Sequence, residues 1–264
     1  MKNSFKTWAV LGILAMIAVI IVNAMAVMLP LNGMSTGAIS DRYPNLFVPA
    51  GFTFSIWSVI YALLLTYTIY HLIVAFSAPG SRIPYQRLES VLNLFVVTCI
   101  LNISWIFCWH YLQIRLSVIV MLLFLSTLIY IYQKLLPLRG ELTLTQKVCI
   151  RLPFSVYLGW ISVATIANIT ALLVDMEWQG AGIEAASWSS IMIVVATLLG
   201  IYFLVKFKDV AYALVISWAL YGIYSRQGAD NAMVGNVAQA CLFLLLAGAV
   251  FTFIRKKIVH TAVD

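Results

Sequence analysis

The sequence predicts an all-α, polytopic membrane helix bundle with eight transmembrane helices. Three observations support this prediction: 63% of the 264 residues are hydrophobic and only 9% are charged, the mean hydropathy is +1.01, and the charged residues fall between long apolar runs. A soluble domain usually has about 25% charged residues, so this chain has too few to cover a water-facing surface. The composition therefore excludes a soluble enzyme, a nucleic-acid-binding domain and a disordered chain.

Eight runs of the sequence contain no Asp, Glu, Lys or Arg. Because hydrocarbon offers the backbone no water to bond, each run is expected to form a helix. The seventh run has only 15 residues, which at roughly 1.5 Å per residue span about 22 Å. It must cross a thin place, extend into its loops or be re-entrant. The runs are 8–29, 54–76, 90–111, 116–133, 152–174, 188–205, 210–224 and 232–254.

Lys and Arg residues are distributed unequally between the two sides of this bundle. With the N-terminus inside, only Arg42, Arg115 and Arg226 of the 16 lie outside. Cytoplasmic loops retain positive charge, so the asymmetry supports eight spans and predicts cytoplasmic N- and C-termini in the cell membrane. The inner residues are Lys2, Lys6, Arg82, Arg87, Lys134, Arg139, Lys147, Arg151, Lys206, Lys208, Arg255, Lys256 and Lys257.

The first run also has features of a signal peptide, since Lys2 and Lys6 precede it and it contains Ala24-Met25-Ala26. At about 20 apolar residues it is longer than a usual signal core. We therefore expect it to remain as the first span.

The longest connection, 30–53, combines Gly, Pro and Asn residues typical of turns with an apolar flank that includes Phe47 and Phe52. It could fold back as a lid over the outer mouth of the bundle. An ordinary loop with interfacial Tyr43 and Phe47 is the alternative, and local sequence does not decide between them.

Aromatic and polar residues recur at helical spacing on three of the runs. Such faces suit a flat, mostly apolar ligand, because indole and phenol combine stacking area with one polar group. A single Trp is equally well an interfacial anchor or a core residue, but the repetition favours a pocket. Trp8, Trp178 and Trp188 lie at span ends and are interpreted as belt residues, whereas Trp218 is left unassigned. The stripes comprise Phe54, Trp57 and Tyr61; Asn102, Trp105 and Trp109; and Tyr157, Trp160, Ala164 and Asn168.

Three segments resemble, in order, the signatures of the translocator protein family (TspO/MBR, tryptophan-rich sensory protein). They read PAGFTFSIWSVIY at 49–61, LNISW at 101–105, and YLGW at 157–160 followed by Ala164-Thr165 and Asn168. The resemblance covers about residues 7–175. It implies a TspO-like core of five helices over 1–175, to which 176–264 adds three helices packed in the same membrane domain.

The resemblance also implies a receptor or carrier that binds a planar hydrophobic ligand, such as protoporphyrin or heme, in a pocket closed by the first loop. Trp57 and Trp160 match the two pocket tryptophans of the family. Lid shape and ligand choice stay open, because a single Pro49 replaces a Trp-x-Pro-Pro cluster, Val156 replaces a proline, and Val163 stands where an aromatic is common. The implied ligand-binding residues are Pro49, Phe54, Trp57, Tyr61, Asn102, Trp105, Tyr157, Trp160, Ala164 and Asn168.

A secondary transporter of a small hydrophobic or amphipathic solute is the alternative function. No acidic residue lies inside a span, although proton-coupled transport commonly uses one, and His71 is expected at the membrane interface. No catalytic or metal-binding residue is assigned and no cofactor is required, but ligand-assisted tetrapyrrole degradation is left open. The expected partners are the lipid bilayer and a small hydrophobic ligand, with a homodimer as a further candidate and no nucleic acid.

Overall fold

The computed structural model describes residues 2–29, 31–77 and 85–261, and within these ranges the chain is helical without a β-strand. Of the residues used above, Pro30 and Arg82 lie outside the described residues, as do the side chains of Lys2, Lys256 and Lys257. Seven of the described helices are long and apolar enough to cross a membrane. The predicted polytopic all-α membrane bundle is therefore confirmed.

Each apolar run lies on a helix that begins and ends within a few residues of the predicted limits, or extends beyond them into the charged flank. Between the long helices lie the short helices α2 (Thr36–Asp41) and α6 (Leu144–Gln146). The long helices are α1 (Lys2–Met28), α3 (Ile56–Phe76), α4 (Tyr85–His110), α5 (Ile114–Leu135), α7 (Leu152–Asp175), α8 (Ala185–Phe207), α9 (Val210–Gln227) and α10 (Ala232–Thr261).

The seventh long helix, α9, extends beyond its short apolar run. It has 18 residues, which at roughly 1.5 Å per residue give about 27 Å, because it continues past the run as far as Gln227. It is the long helix that is missing from the seven spans that meet the length and hydropathy requirements.

Side-chain caps and one left-handed residue set three of the helix boundaries. The Thr143 hydroxyl accepts a hydrogen bond from the Gln146 N–H at 3.3 Å, and the Gln146 side chain accepts one from the Thr143 N–H at 2.9 Å, which is a capping box. Lys208 ends α8 with a φ of 50°, and Asp209 starts α9 by accepting a bond from the Tyr212 N–H at 3.3 Å. Two residues therefore suffice to reverse the chain between α8 and α9.

The chain packs as two compact units. The first comprises Met1–Ile39 and Ser55–Leu158, and the second comprises Ser40–Phe54 and Gly159–Asp264. In the first unit α1 packs on α3 and α4, and α4 packs on α5; in the second, α8, α9 and α10 pack on one another. The division at residue 175 suggested by the resemblance stays a prediction.

Close backbone approach distinguishes the contact between the end of α9 and the start of α10. A Cβ atom added to Gly235 would lie 2.7 Å from the Cα atom of Gly228. Backbone atoms cannot rotate away as a side chain can, so this contact requires glycine. At Gly12 of α1, by contrast, the nearest atom to an added Cβ would be Leu92 Cδ2 at 3.5 Å, an ordinary contact.

We expect Gly235→Ala to lower the free energy of unfolding by about 1–3 kcal/mol, because the methyl group forces the two helices apart. Gly12→Ala is the control and should raise it by about 0.5–1 kcal/mol, since alanine restricts the unfolded chain and fits the helix. Reversible unfolding of the two variants in mixed micelles measures both values. Equal effects of the two substitutions would contradict the backbone contact.

Candidate functional site

Asn102 of α4 is the centre of a polar chain inside the first unit. It is fully buried, its Oδ1 accepts a hydrogen bond from Asn23 Nδ2 at 2.8 Å, and its Nδ2 donates to the Tyr157 hydroxyl at 3.2 Å. Asn23 also donates to the Val19 carbonyl at 2.9 Å. These bonds join α1, α4 and α7 at a point where unpaired amides would be costly in hydrocarbon.

Aromatic rings surround this chain. Trp57 stacks on Tyr61 with ring centroids 5.4 Å apart and 23° between the planes, which is the contact that their four-residue spacing predicts. Trp57 also meets Tyr157 edge to face at 6.1 Å, and Tyr157 meets Phe124 at 5.3 Å. Tyr157 is buried, whereas Trp57 and Tyr61 are half-buried. We call Asn23, Trp57, Tyr61, Asn102 and Tyr157 the Asn102 cluster.

The Tyr61 hydroxyl is a buried polar group of this cluster that has no hydrogen-bond partner. The oxygen is buried beside Asn102, but the geometry does not complete a hydrogen bond, and no other described residue supplies a partner. A buried hydroxyl without a partner costs roughly 1–3 kcal/mol. A ligand that supplied a partner would recover that free energy.

Trp105, another predicted ligand-binding residue, belongs to an aromatic pair at the end of α4. It is 6% exposed and stacks on Trp109 at 5.6 Å, with 19° between the planes. The Trp109 indole N–H donates to the Thr36 carbonyl at 3.2 Å. Trp109, which shares a predicted stripe with Asn102 and Trp105, therefore helps to fix the connection that follows α1.

His110 fixes the same connection. Its Nδ1 lies 3.0 Å from the Leu31 carbonyl and its Nε2 lies 3.0 Å from the Thr36 hydroxyl. Because a carbonyl only accepts, Nδ1 donates; in the neutral ring Nε2 then accepts the Thr36 O–H. Asn32 closes the arrangement by donating to the His110 carbonyl at 2.9 Å.

The other five predicted ligand-binding residues lie in the second unit. Trp160 is 3% exposed and meets Phe54 edge to face at 6.1 Å. Asn168, one turn beyond half-buried Ala164, is 2% exposed, and Pro49 is also buried. The first unit thus contains the remaining five predicted residues, which are Trp57, Tyr61, Asn102, Trp105 and Tyr157. That the two sets enclose one ligand stays a prediction.

Trp218, which sequence reasoning left unassigned, anchors the end of the long connection in the second unit. Its indole N–H donates to the Thr53 carbonyl at 2.9 Å, and its ring meets Phe52 at 5.5 Å. One turn later the Gly222 carbonyl accepts from the Ala50 N–H at 2.9 Å. A Cβ on Gly222 would overlap the Thr53 hydroxyl, so only glycine admits this close approach.

Arg226 continues the same face of α9. Its Nη1 donates to Asp41 Oδ1 at 2.8 Å and to the Pro49 carbonyl at 3.4 Å. Trp218, Gly222 and Arg226 are spaced four residues apart, so they share one side of the helix. That spacing is visible in the sequence, but it combines Trp with Gly and Arg and so differs from the aromatic-plus-amide stripes.

His71 corrects one expectation. It was expected at the membrane interface, but it is fully buried in the first unit. Its Nδ1 donates to the Tyr67 carbonyl at 2.8 Å, and its ring lies 4.2 Å from the Tyr67 ring and 6.2 Å from the Phe5 ring. Aromatic rings of α1 and α3 enclose the His71 side chain. Its position near the end of α3 therefore did not indicate how far it is exposed.

The chain matches the family model described as TSPO-like protein over residues 9–251. It matches no curated protein and no solved structure. The family match begins in α1 and ends in α10, so it includes the three C-terminal helices, beyond the 7–175 region in which the motifs were found. Since it spans far more than half of this multi-pass membrane protein, the chain belongs to the TSPO-like protein family.

Proposed function

We propose that the protein is an integral membrane receptor or carrier for a planar hydrophobic ligand such as a tetrapyrrole. Membership of the TSPO-like family supports a membrane protein that binds or transports a ligand. The observation that carries the finer proposal is the half-buried Trp57 and Tyr61 pair with the unsatisfied Tyr61 hydroxyl. Apolar stacking area and an unused polar group are thus adjacent within the first unit.

The chemistry of the Asn102 cluster fits a porphyrin. Indole and phenol faces stack on a flat macrocycle, and each ring adds one hydrogen-bonding group. The Tyr157 hydroxyl accepts its bond from Asn102, so its own hydrogen stays available as a donor. The Tyr61 hydroxyl can donate or accept, so the cluster can meet either kind of polar atom on the ligand.

The proposal extends to the second set of residues through the resemblance. Trp160 matches a family pocket tryptophan, and Pro49, Phe54, Ala164 and Asn168 belong to the same motifs. The buried Asn168 and the edge contact of Trp160 with Phe54 are compatible with a ligand-binding role. No cofactor is needed for this function, since the porphyrin or heme is itself the ligand.

Trp57→Phe and Trp160→Phe should each weaken protoporphyrin binding. Loss of indole stacking is worth roughly 0.5–1.5 kcal/mol, so we expect the Kd to rise about 3- to 10-fold. Saturable quenching of tryptophan fluorescence on titration of the purified protein measures the Kd. Trp8→Phe is the control, because Trp8 is a half-buried residue of α1 outside the predicted ligand-binding set, and it should leave the Kd unchanged. Wild-type protein that shows no saturable quenching would refute the proposal.

Tyr61→Phe separates binding from folding. Removal of a buried hydroxyl that has no partner should leave the unfolding free energy unchanged or raise it by up to about 1 kcal/mol. The same change should weaken protoporphyrin binding, because the ligand loses that hydrogen bond. Thermal unfolding without ligand and fluorescence titration provide the two measurements. A variant that is destabilised yet binds as well as the wild type would show that the hydroxyl serves the fold alone.

We also propose that both termini are cytoplasmic in the cell membrane, on the strength of the Lys and Arg asymmetry. A C-terminal fusion to a fluorescent protein that folds only in the cytoplasm should fluoresce, and a C-terminal fusion to a periplasmic phosphatase should be inactive. Fusions after Gly228, between α9 and α10, serve as the control and should give the opposite pair of results. Identical results at the two sites would contradict the predicted topology.

A further inference from the structure

The second unit contains a pocket of about 690 Å³ that involves none of the ten residues in the predicted ligand site. It lies where α7 ends, α8 begins and α9 ends, and residues 44–46 contribute a further wall. Small-molecule sites typically measure roughly 300–1,000 Å³. The space is therefore large enough for a ligand of its own.

One wall of this pocket is aromatic. Trp178 and Trp188 meet edge to face with ring centroids 5.0 Å apart, and both line the pocket together with Leu173 and Ile183. The sequence alone suggested that these two tryptophans are interfacial belt residues. Two indole rings set beside aliphatic side chains favour a flat, apolar ring system.

The pocket also contains buried polar side chains with unused capacity. Gln227 is 5% exposed and Ser189 is 4% exposed, and both line the pocket. Among the described residues, neither side chain forms a hydrogen bond. Their polar atoms are not among the buried atoms that lack a partner, so they are open to the pocket, where a polar group of a ligand could bond to them in place of water.

Arg226 supplies positive charge to the same pocket. Both of its recorded bonds, to Asp41 and to the Pro49 carbonyl, leave from Nη1. A guanidinium has five N–H donors, so Nη2 and Nε stay available to a ligand, and the bond to Asp41 holds the group in position. Asp230, the acidic residue of the lining, is exposed to water, where its charge is strongly screened.

We propose that this pocket is a second ligand site, which binds a small aromatic carboxylate. The ring contacts Trp178 and Trp188, and the carboxylate accepts hydrogen bonds from Arg226 and Gln227. A planar guanidinium pairs well with a carboxylate, because two parallel N–H donors match the two oxygens. This inference goes beyond the proposed tetrapyrrole function, since it concerns other residues and a smaller anion.

Three probes that share a naphthalene ring system and differ in charge test the proposal: 2-naphthoate, 2-naphthalenemethanol and 2-naphthylmethylammonium. The wild-type protein in lipid nanodiscs is dialysed to equilibrium against each, with empty nanodiscs as the blank. We expect saturable binding of 2-naphthoate, weaker binding of the alcohol and the weakest binding of the cation. Absence of saturable 2-naphthoate binding, or preference for the cation, would overturn the proposal.

Two variants that break the same ion pair separate ligand binding from structure. Arg226→Gln should weaken 2-naphthoate binding about tenfold, which corresponds to roughly 1.4 kcal/mol, and leave the alcohol within about twofold. Asp41→Asn removes the other partner, so it should retain 2-naphthoate binding or strengthen it. Because the two side chains are 37% and 58% exposed, loss of the pair should cost little stability. Equal losses of binding in both variants would assign Arg226 to structure alone.

Further controls keep this site distinct from the tetrapyrrole site. Arg115→Gln changes an exposed arginine of the first unit and should leave 2-naphthoate binding unaltered. Trp57→Phe should also leave it unaltered. If protoporphyrin displaced 2-naphthoate competitively, the claim of a separate site would fail even though each ligand binds.

Discussion

Hydrocarbon contains no water to bond polar groups, and this constraint explains most side-chain placements in the protein. Many hydroxyl groups on the long helices are satisfied within their own helix, where they donate to a carbonyl three or four residues earlier. Such groups carry no information about a site, because any Ser or Thr on a helix can do the same. Examples are Thr66, Ser126, Thr165, Ser190, Thr197 and Ser217.

Asn102 differs because it bonds across helices. Its amide cannot satisfy both ends within α4, so it needs Asn23 of α1 and Tyr157 of α7. These bonds specify the register of three helices in the first unit, since a slip of one residue would leave a buried amide unpaired. The same network positions Tyr157 against Trp57, so the polar contacts also arrange the aromatic faces.

Polar contacts position the connection between α1 and α3, just as they position the helices. The first half of the connection between α1 and α3 is held at the end of α4 by His110 and Trp109. The second half is held on α9 by Trp218 and Arg226. Each half thus folds back on helices of its own unit rather than extending away from them, and neither set of contacts follows from the turn-forming residues in the loop.

The helix positions could be predicted because charged residues are excluded from hydrocarbon, so each span is a charge-free run that can be read directly from the sequence. The Trp57–Tyr61 contact was predictable for a similar reason, since residues four apart on a helix always lie side by side. The Asn23–Asn102 bond joins residues far apart in sequence, so it could not be foreseen without the packing of α1 on α4. Burial of His71 was unpredictable for the same reason, because Phe5 of another helix helps to enclose it.

Trp178 and Trp188 show why residue type and spacing were insufficient to locate a pocket. A tryptophan at a span end has the same sequence signature whether it faces lipid head groups or lines a pocket. The distinction comes from its neighbours: Gln227 and Ser189 line the same pocket as these two rings and offer polar groups to it. The buried hydroxyl of Tyr61, which has no partner, likewise lies beside the ring of Trp57. An unpaired buried group beside a ring does not by itself indicate a ligand, because the Tyr67 hydroxyl and His71 Nε2 are also buried without a partner among aromatic rings. The space beside Trp178 and Trp188 is what distinguishes these two rings, since a ligand needs a pocket as well as a polar group.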